Sequence, residues 1–300
     1  MRILVTGANG LLGQKIVNQL IKRGEVSFLA TGKGVNRNPN CSNENYQSLN
    51  VLDKEEIKNV CDAFQPTVII NTAAMTNVDF CEDNKQGCVD LNVKAVKYLF
   101  DYCVQNKVYF QQLSTDFVFD GQRGNYTETD QVNPISVYGK SKVESEDLLI
   151  NSAYSNWSIV RTIIILGSTP GMSRSNIVLW AKEALEKGDP IHVVNDQFRA
   201  PTWADDLAWA CITLSVTSKK GIYHISGAET MSVLDIVKTV AHHYSLNNEL
   251  IHPITSSSLK QKAKRPPKTG FDLTKAKKVI NYQPKTLKEI LVLLDFESKQ

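Results

Sequence analysis

Ile3-Leu4-Val5-Thr6-Gly7-Ala8-Asn9-Gly10-Leu11-Leu12-Gly13 opens the chain with an apolar run, a glycine-spaced turn and the start of an amphipathic segment. Ile3 to Val5 read as a short β run. Leu12, Ile16, Leu20 and Ile21 recur at helical spacing up to Gly24, a natural helix stop. Strand, glycine turn and helix in that order are the context a dinucleotide-binding turn requires. Gly7 suits the tight turn, Gly10 lets backbone approach a pyrophosphate, and Gly13 lets helix and sheet pack closely. The spacing is Gly-x-x-Gly-x-x-Gly rather than Gly-x-Gly-x-x-Gly, and the free N–H groups of the helix end would favour an anion. Outside this context the same turn reads as structural only.

Strand and helix signals continue to alternate. Val26 to Thr31 reads as a second strand, ending at Thr31-Gly32-Lys33-Gly34. An acid at that end commonly holds a ribose lacking the 2′-phosphate, yet none lies between Glu25 and Glu44. Lys33 and Arg37 are placed instead to pair with a phosphate, which favours NADPH, with NADH as the alternative. Both read equally as solvated charges in a polar, exposed loop over residues 34–46. Tyr46 to Val51 reads as a third strand, with Asn50 and Val51 at its end near an adenine pocket. Asp53 and Glu56 form a capping box that opens a helix to about Phe64. The buried run Val68-Ile69-Ile70 ends at Asn71-Thr72-Ala73-Ala74, where small residues would let backbone lie against ribose and nicotinamide, or simply pack beneath a loop. A helix over Asn92–Val104 and an apolar strand over Ile159–Ile165 complete five or six alternations. They predict an α/β fold with a doubly wound, mostly parallel (Rossmann) sheet.

A second stretch carries chemistry. Apolar residues from Val108 to Leu113 predict a buried strand ending where Ser114-Thr115-Asp116-Phe117-Val118-Phe119-Asp120-Gly121 begins, and α/β ligand sites form at such strand ends. Ser136 to Ile150 has helical character and places Tyr138 and Lys142 four residues apart, on one face. A phenol titrates near ~10 and is a weak acid–base group at neutral pH. A lysine cation beside it would draw its pKa toward the working range. A nearby hydroxyl such as Thr115 would hydrogen-bond the oxygen being transformed. Tyr-x-x-x-Lys alone is frequent by chance; the glycine turn and the Ser-Thr-Asp segment give it weight.

Past residue 166 the texture changes. Gly167 to Asn176, rich in Gly, Ser and Pro, predicts a flexible lip. A helix over Ile177–Leu185, a short strand over Pro190–Val194 and the segment Asp196 to Trp203 follow. Then come a helix from Asp205, a strand over Tyr223–Ser226, a helix capped by Ser232 with Asp235, and a closing helix marked by Leu287, Ile290, Leu291 and Leu294. Residues 1–166 are expected to form a dinucleotide-binding domain. Residues 167–300 are expected to be mainly substrate-binding, with about 190–226 packing back on the first domain. Lys260, Lys262, Lys264, Arg265 and Lys268 form a basic loop that is either solvated or suited to a diphosphate.

At 300 residues, 42% hydrophobic and 22% charged, the chain has the composition of an ordinary soluble globule. Its net charge of +3 does not mark a nucleic-acid or membrane-surface protein. Six cysteines, at 41, 61, 81, 88, 103 and 211, include no Cys-x-x-Cys pair, and the five histidines lack ligand spacing, so no metal site is expected. Reduced thiols, no apolar run of spanning length and no signal-peptide anatomy after Met1 point to a soluble cytoplasmic protein.

Taken together these motifs resemble the extended short-chain dehydrogenase/reductase superfamily, and within it most nearly the dTDP-4-dehydrorhamnose reductase family. The likeness runs in order through residues 7–13, 71–79, 114–121, 138–142 and 196–206 to Arg265-Pro266. It implies a catalytic set of Thr115, Tyr138 and Lys142 for hydride transfer from nicotinamide to a ketone carbon of a deoxyhexose on a nucleoside diphosphate. It places Asn9, Leu11, Leu12 and Asn92 with the cofactor residues above, and Thr76, Val78, Asp116, Phe117, Arg199 and Arg265 on the substrate side. A small nucleotide-sugar substrate, NADPH and a possible homodimer are the implied partners. Four positions depart from the family pattern: Phe117 replaces a tyrosine, Arg199 a glycine, Leu166 an aromatic and Asn50 an aspartate.

Other functions share these motifs. A sugar-nucleotide dehydratase needs an acid at position 117, which Phe117 cannot supply; an epimerase is not excluded so directly. A non-catalytic reading follows from likeness to the regulatory subunit of methionine adenosyltransferase, which Gln197-Phe198-Arg199 and the Arg265-Pro266 loop would also fit.

Overall fold

The computed structural model describes residues 1–172, 176–259 and 261–297. From the N-terminus, β1 (Arg2–Thr6), α1 (Leu11–Arg23), β2 (Ser27–Gly32), β3 (Tyr46–Ser48), α2 (Lys54–Phe64) and β4 (Val68–Asn71) alternate as the apolar periodicity requires. Next come α3 (Val78–Asp83), α4 (Lys85–Val89), a π turn over Asp90–Lys94, α5 (Ala95–Asn106), β5 (Tyr109–Thr115), α6 (Val137–Ile150) and β6 (Trp157–Thr162). The remainder contributes β7 (Ile165–Leu166), α7 (Ile177–Glu186), β8 (Ile191–Val194), β9 (Phe198–Arg199), β10 (Thr202–Trp203), α8 (Ala204–Val216) and β11 (Gly221–Ile225). The chain closes with β12 (Met231–Ser232), α9 (Val233–His243), β13 (Ile251–Ile254), α10 (Thr274–Ile280) and α11 (Leu287–Glu297).

Seven strands form one parallel sheet in the order β3-β2-β1-β4-β5-β6-β11. The chain runs outward from β1 to β3, then returns to place β4 on the other side of β1. That reversal opens a crevice at the C-terminal ends of β1 and β4, the place where such sheets bind ligands. Apolar clusters cover both faces: Ile16, Val17, Leu20 and Leu207 on one, and Ile57, Val96, Leu99 and Phe110 on the other. A separate core beneath β8 and β13 joins α7, α9 and α11 through Val178, Ile236, Val240 and Ile290. The seventh strand, β11, comes from the C-terminal half and lies beside β6.

Three expected elements differ in detail. The third strand stops at Ser48 rather than Val51, because the Asn50 side chain accepts from Leu52 N–H and Asp53 caps α2 through Glu55 and Glu56 N–H. The run over Ile159–Ile165 splits into β6 and β7 at Ile164, whose φ of 22° breaks the extended path. The helix over Asn92–Val104 begins as the π turn before α5. Within the expected lip, residues 173–175 lie outside the described residues, as does Lys260 of the basic loop. All six cysteines are buried and unbridged. Among the described residues no helix is long and apolar enough to cross a membrane.

Candidate active site

The glycine turn is built as its spacing demands. Gly7 adopts φ +68°, and a Cβ there would stand 2.7 Å from the Ala73 backbone nitrogen. At Gly13 a Cβ would stand 2.4 Å from the Gly7 carbonyl oxygen, so only glycine lets α1 start this close to β1. Gly10 N-caps α1 without a side-chain cap, so the first-turn amides of Leu11, Leu12 and Gly13 are not satisfied by a cap. This cradle fits a dinucleotide pyrophosphate. Asn9 ties it to the loop after β2: its Nδ2 donates to Val35 O and to Tyr46 Oη, both at 2.9 Å, and its Oδ1 accepts from Arg37 N–H. Lys33 and the Arg37 side chain are exposed on that loop. Asn50 is exposed, whereas Val51 is buried in the sheet core.

A buried polar ladder crosses the strand ends below the turn. Thr6 Oγ1 donates to Asn71 Oδ1, and Asn71 Nδ2 donates to Gln112 Oε1 at 2.7 Å. Asn71 Oδ1 also accepts from Ala73 N–H, and Thr72 Oγ1 donates to Thr6 O, so residues 72–74 are held against β1. Asn92 pins the next residues, donating to Met75 O at 3.0 Å and accepting from Met75 N–H at 2.8 Å. Its Nδ2 also reaches Ser141 Oγ on α6 at 3.0 Å. The π turn places Asn92 between the 72–76 loop and α6. Thr76 itself is exposed.

Tyr138 is brought to Thr115 by local backbone chemistry. Thr115 ends β5 and caps a 3-10 turn over Asp116–Val118, its Oγ1 accepting from Phe117 N–H. Ser136 caps α6 through Gly139 N–H, and Glu82 Oε1 accepts from Val137 N–H. A Cβ on Gly139 would lie 2.3 Å from Phe117 O, so this glycine is what allows α6 to abut the turn after β5. The Phe117 and Tyr138 rings meet edge-to-face at 5.8 Å, with Val78 and Met75 packed alongside. Lys142 follows one turn later, 2% exposed, and its Nζ makes no hydrogen bond among the described residues.

Burial dominates the electrostatics here. It pushes the Tyr138 phenol well above its usual range, against the lowering effect of the Thr115 hydroxyl. It pushes Lys142 down to about 8, against the raising effect of Glu146. The expectation that Lys142 draws Tyr138 downward is therefore corrected: both groups lean toward their neutral forms because both have lost water. A neutral phenol is the proton-donating form.

On the substrate side, Asp116 is 3% exposed and both its oxygens are engaged: Thr115 Oγ1 donates to Oδ1 at 3.0 Å, and Thr269 Oγ1 donates to Oδ2. Arg199 Nε stands 3.8 Å from Oδ2, and its guanidinium lies 5.7 Å above the Phe117 ring. Arg265 forms a two-pronged pair with Asp79 of α3, at 2.7 and 3.2 Å. Lys262 pairs with Asp83, so two cations of the basic loop, Lys262 and Arg265, are tied to α3 by acids. Asp79, Glu82, Gln112 and Thr269 join the site without having been singled out in the sequence. Asp79 closes a motif already noted; Thr269 carries no local signal. Among the described residues no group of three or more His, Cys, Asp or Glu is placed to hold a metal ion.

The family model described as "RmlD substrate binding domain" matches residues 1–294. The chain is 33% identical over 296 residues to a dTDP-4-dehydrorhamnose reductase of Aggregatibacter actinomycetemcomitans, covering 94% of each. It is 29% identical to the methionine adenosyltransferase 2 subunit beta of Danio rerio, over 88% of this chain and 80% of that one. The crystal structure of a dTDP-4-dehydrorhamnose reductase from Clostridium acetobutylicum superposes with a TM-score of 0.87 and 27% identity, covering 100% of both chains.

Proposed function

The chain belongs to the RmlD substrate-binding-domain family, and from that premise we propose that it is an NADPH-preferring reductase of a 4-keto-6-deoxy sugar nucleotide, with dTDP-4-dehydrorhamnose as substrate. What carries the reading is one juxtaposition: the Thr115 hydroxyl and the Tyr138 phenol meet at the C-terminal edge of the sheet whose first strand, β1, ends in a glycine cradle at that same edge.

Bound NADPH would supply the hydride. The turn over Gly7–Gly13 would hold its pyrophosphate through the α1 amides, with Thr72, Ala73, Ala74 and Asn92 beside the nicotinamide half. Lys33 and Arg37 would meet a 2′-phosphate, and Asn50 with Val51 would flank the adenine. Tyr138 gives its phenolic proton to the carbonyl oxygen as the carbonyl carbon gains hydride, which leaves a secondary alcohol. Thr115 donates a hydrogen bond to the same oxygen. The ammonium of Lys142 stabilises the phenolate left behind and holds the nicotinamide ribose. Thr76, Val78, Asp116, Phe117, Arg199 and Arg265 line the sugar-nucleotide side, where Arg265 would exchange Asp79 for a diphosphate.

The test follows NADPH absorbance with dTDP-4-dehydrorhamnose, comparing wild type with Tyr138→Phe. Oxidation that depends on Tyr138 supports the reading; no oxidation in wild type overturns it. A second reading, a non-catalytic regulatory subunit, draws on the likeness to the beta subunit of methionine adenosyltransferase. Stable co-purification with a larger catalytic subunit, without NADPH oxidation, would favour it. The intact Thr115, Tyr138 and Lys142 favour the enzyme.

A further inference from the structure

The loop after β2 forms neither strand nor helix over residues 33–41, yet side chains from three directions hold its backbone. From the glycine turn, Asn9 accepts from Arg37 N–H and donates to Val35 O, both at 2.9 Å. From β3, Tyr46 Oη donates to Gly34 O at 2.9 Å. From α1, Asn18 Oδ1 accepts from Asn38 Nδ2 at 2.9 Å. Asn38 is 4% exposed, an uncommon burial for an amide side chain. Its Oδ1 accepts from Asn40 N–H at 3.1 Å, and its own backbone N–H donates to Asn36 Oδ1 at 3.0 Å. Asn36 closes the loop by donating to Cys41 O at 2.7 Å. Between these anchored residues Arg37 is exposed, and it borders a surface cavity of about 440 Å³ whose lining includes Asn36, Asn38 and Pro170.

We propose that Asn18 is a positioning residue for cofactor recognition: through Asn38 it fixes the loop so that Arg37 stands beside the glycine turn before the dinucleotide arrives. Such a brace refines the proposed NADPH preference and rests on that reading. Fixing backbone costs conformational entropy, and a loop already fixed leaves little of that cost to the binding step. A 2′-phosphate gains from the arrangement, because the Arg37 guanidinium would meet it with charge-assisted hydrogen bonds. NADH lacks that phosphate and gains nothing from where Arg37 stands.

Equilibrium binding, followed by the fluorescence of the reduced nucleotide, separates this role from a merely structural one. Alanine is a good helix former, so Asn18→Ala preserves α1. It should raise the NADPH Kd about tenfold, the worth of roughly one residue's backbone order, and leave the NADH Kd within about two-fold. In an Arg37→Ala background the same substitution should weaken NADPH no further, since it acts through Arg37. An unchanged NADPH Kd, equal weakening of both nucleotides, or a loss that persists without Arg37 overturns the proposal. Amide exchange in the free protein tests the brace with no cofactor present. The Arg37 N–H bonds to Asn9 rather than to Asn18 or Asn38, so it reports on the loop and not on the altered contact. It should exchange slowly in wild type and about tenfold faster in Asn18→Ala. An Arg37 amide unprotected in wild type, or equally protected in the variant, overturns the proposal. Wild type that binds NADH as tightly as NADPH would instead remove the cofactor preference, and the exchange rates would then decide whether the brace exists.

Discussion

Tyr138 and Lys142 share a face of α6, yet what tunes them is loss of water more than their mutual attraction. Burial keeps Tyr138 protonated across the working range, which suits a group that must give a proton to a carbonyl. Replacing Tyr138 by Phe is expected to lower kcat by about 10²–10⁴, the usual worth of a positioned general acid, with NADPH affinity nearly unchanged. A stopped-flow binding titration beside the rate measurement checks both halves. Lys142 is expected to set the alkaline limit. Its cation is present below a pKa lowered to about 8 and lost above it, so kcat should fall as pH rises through about 8. In Lys142→Arg, whose charge persists, that alkaline limb should disappear; an identical limb in this variant would assign it elsewhere.

At the scale of elements, the glycines decide which segments can touch. Gly13 admits α1 to the β1 turn, and Gly139 admits α6 to the turn after β5. A methyl at Gly13 would lie 2.4 Å from backbone that cannot yield as a side chain can, so Gly13→Ala should destabilise by about 1–3 kcal/mol or more and abolish dinucleotide binding. Denaturant midpoints and a fluorescence titration with NADPH measure the two effects. The proposed contact of the loop after β2 with a 2′-phosphate predicts that Lys33→Ala with Arg37→Ala weakens NADPH far more than NADH, and equal weakening would remove the basis for the preference.

These elements were legible in sequence because strand, glycine turn and helix each leave a local period. The splits at Ser48 and Ile164 were not, since they depend on side-chain caps and on one residue forced to positive φ. Tyr138 and Lys142 could be singled out by their four-residue spacing and Thr115 by its place at a strand end, while their grouping as one set came from the family resemblance. The partners of Asp116 and Arg265 could not, because Thr269 and Asp79 reach them across more than 150 residues of chain, and no local pattern encodes such a contact.

Across the whole molecule, a buried network ties the catalytic helix to the sheet edge. Glu146 of α6 accepts twice from Arg161 of β6, at 2.6 and 2.9 Å, and once from Ser114; Arg161 in turn lies 3.4 Å from His224 of β11. Breaking such a pair leaves an uncompensated buried charge, so Glu146→Gln should cost about 3–5 kcal/mol in equilibrium unfolding. His224 adds a pH dependence. Burial and the Arg161 charge hold its pKa at about 3, against an ordinary 6.5. Between those values the unfolded chain binds a proton that the folded one refuses, so stability should fall as pH drops below 6.5. Denaturation at pH 7 and pH 5 should show a smaller loss in His224→Asn than in wild type; equal losses would place the acid sensitivity elsewhere.

Hydride delivery to a sugar carbonyl is tested most directly by following the hydrogen itself. Wild type is given dTDP-4-dehydrorhamnose and NADPH deuterated at the transferring position of nicotinamide C4, and the product is read by NMR. Deuterium at C4 of the sugar, absent with Tyr138→Phe, is the predicted result. A product without the label at C4, or no product from wild type, would contradict it.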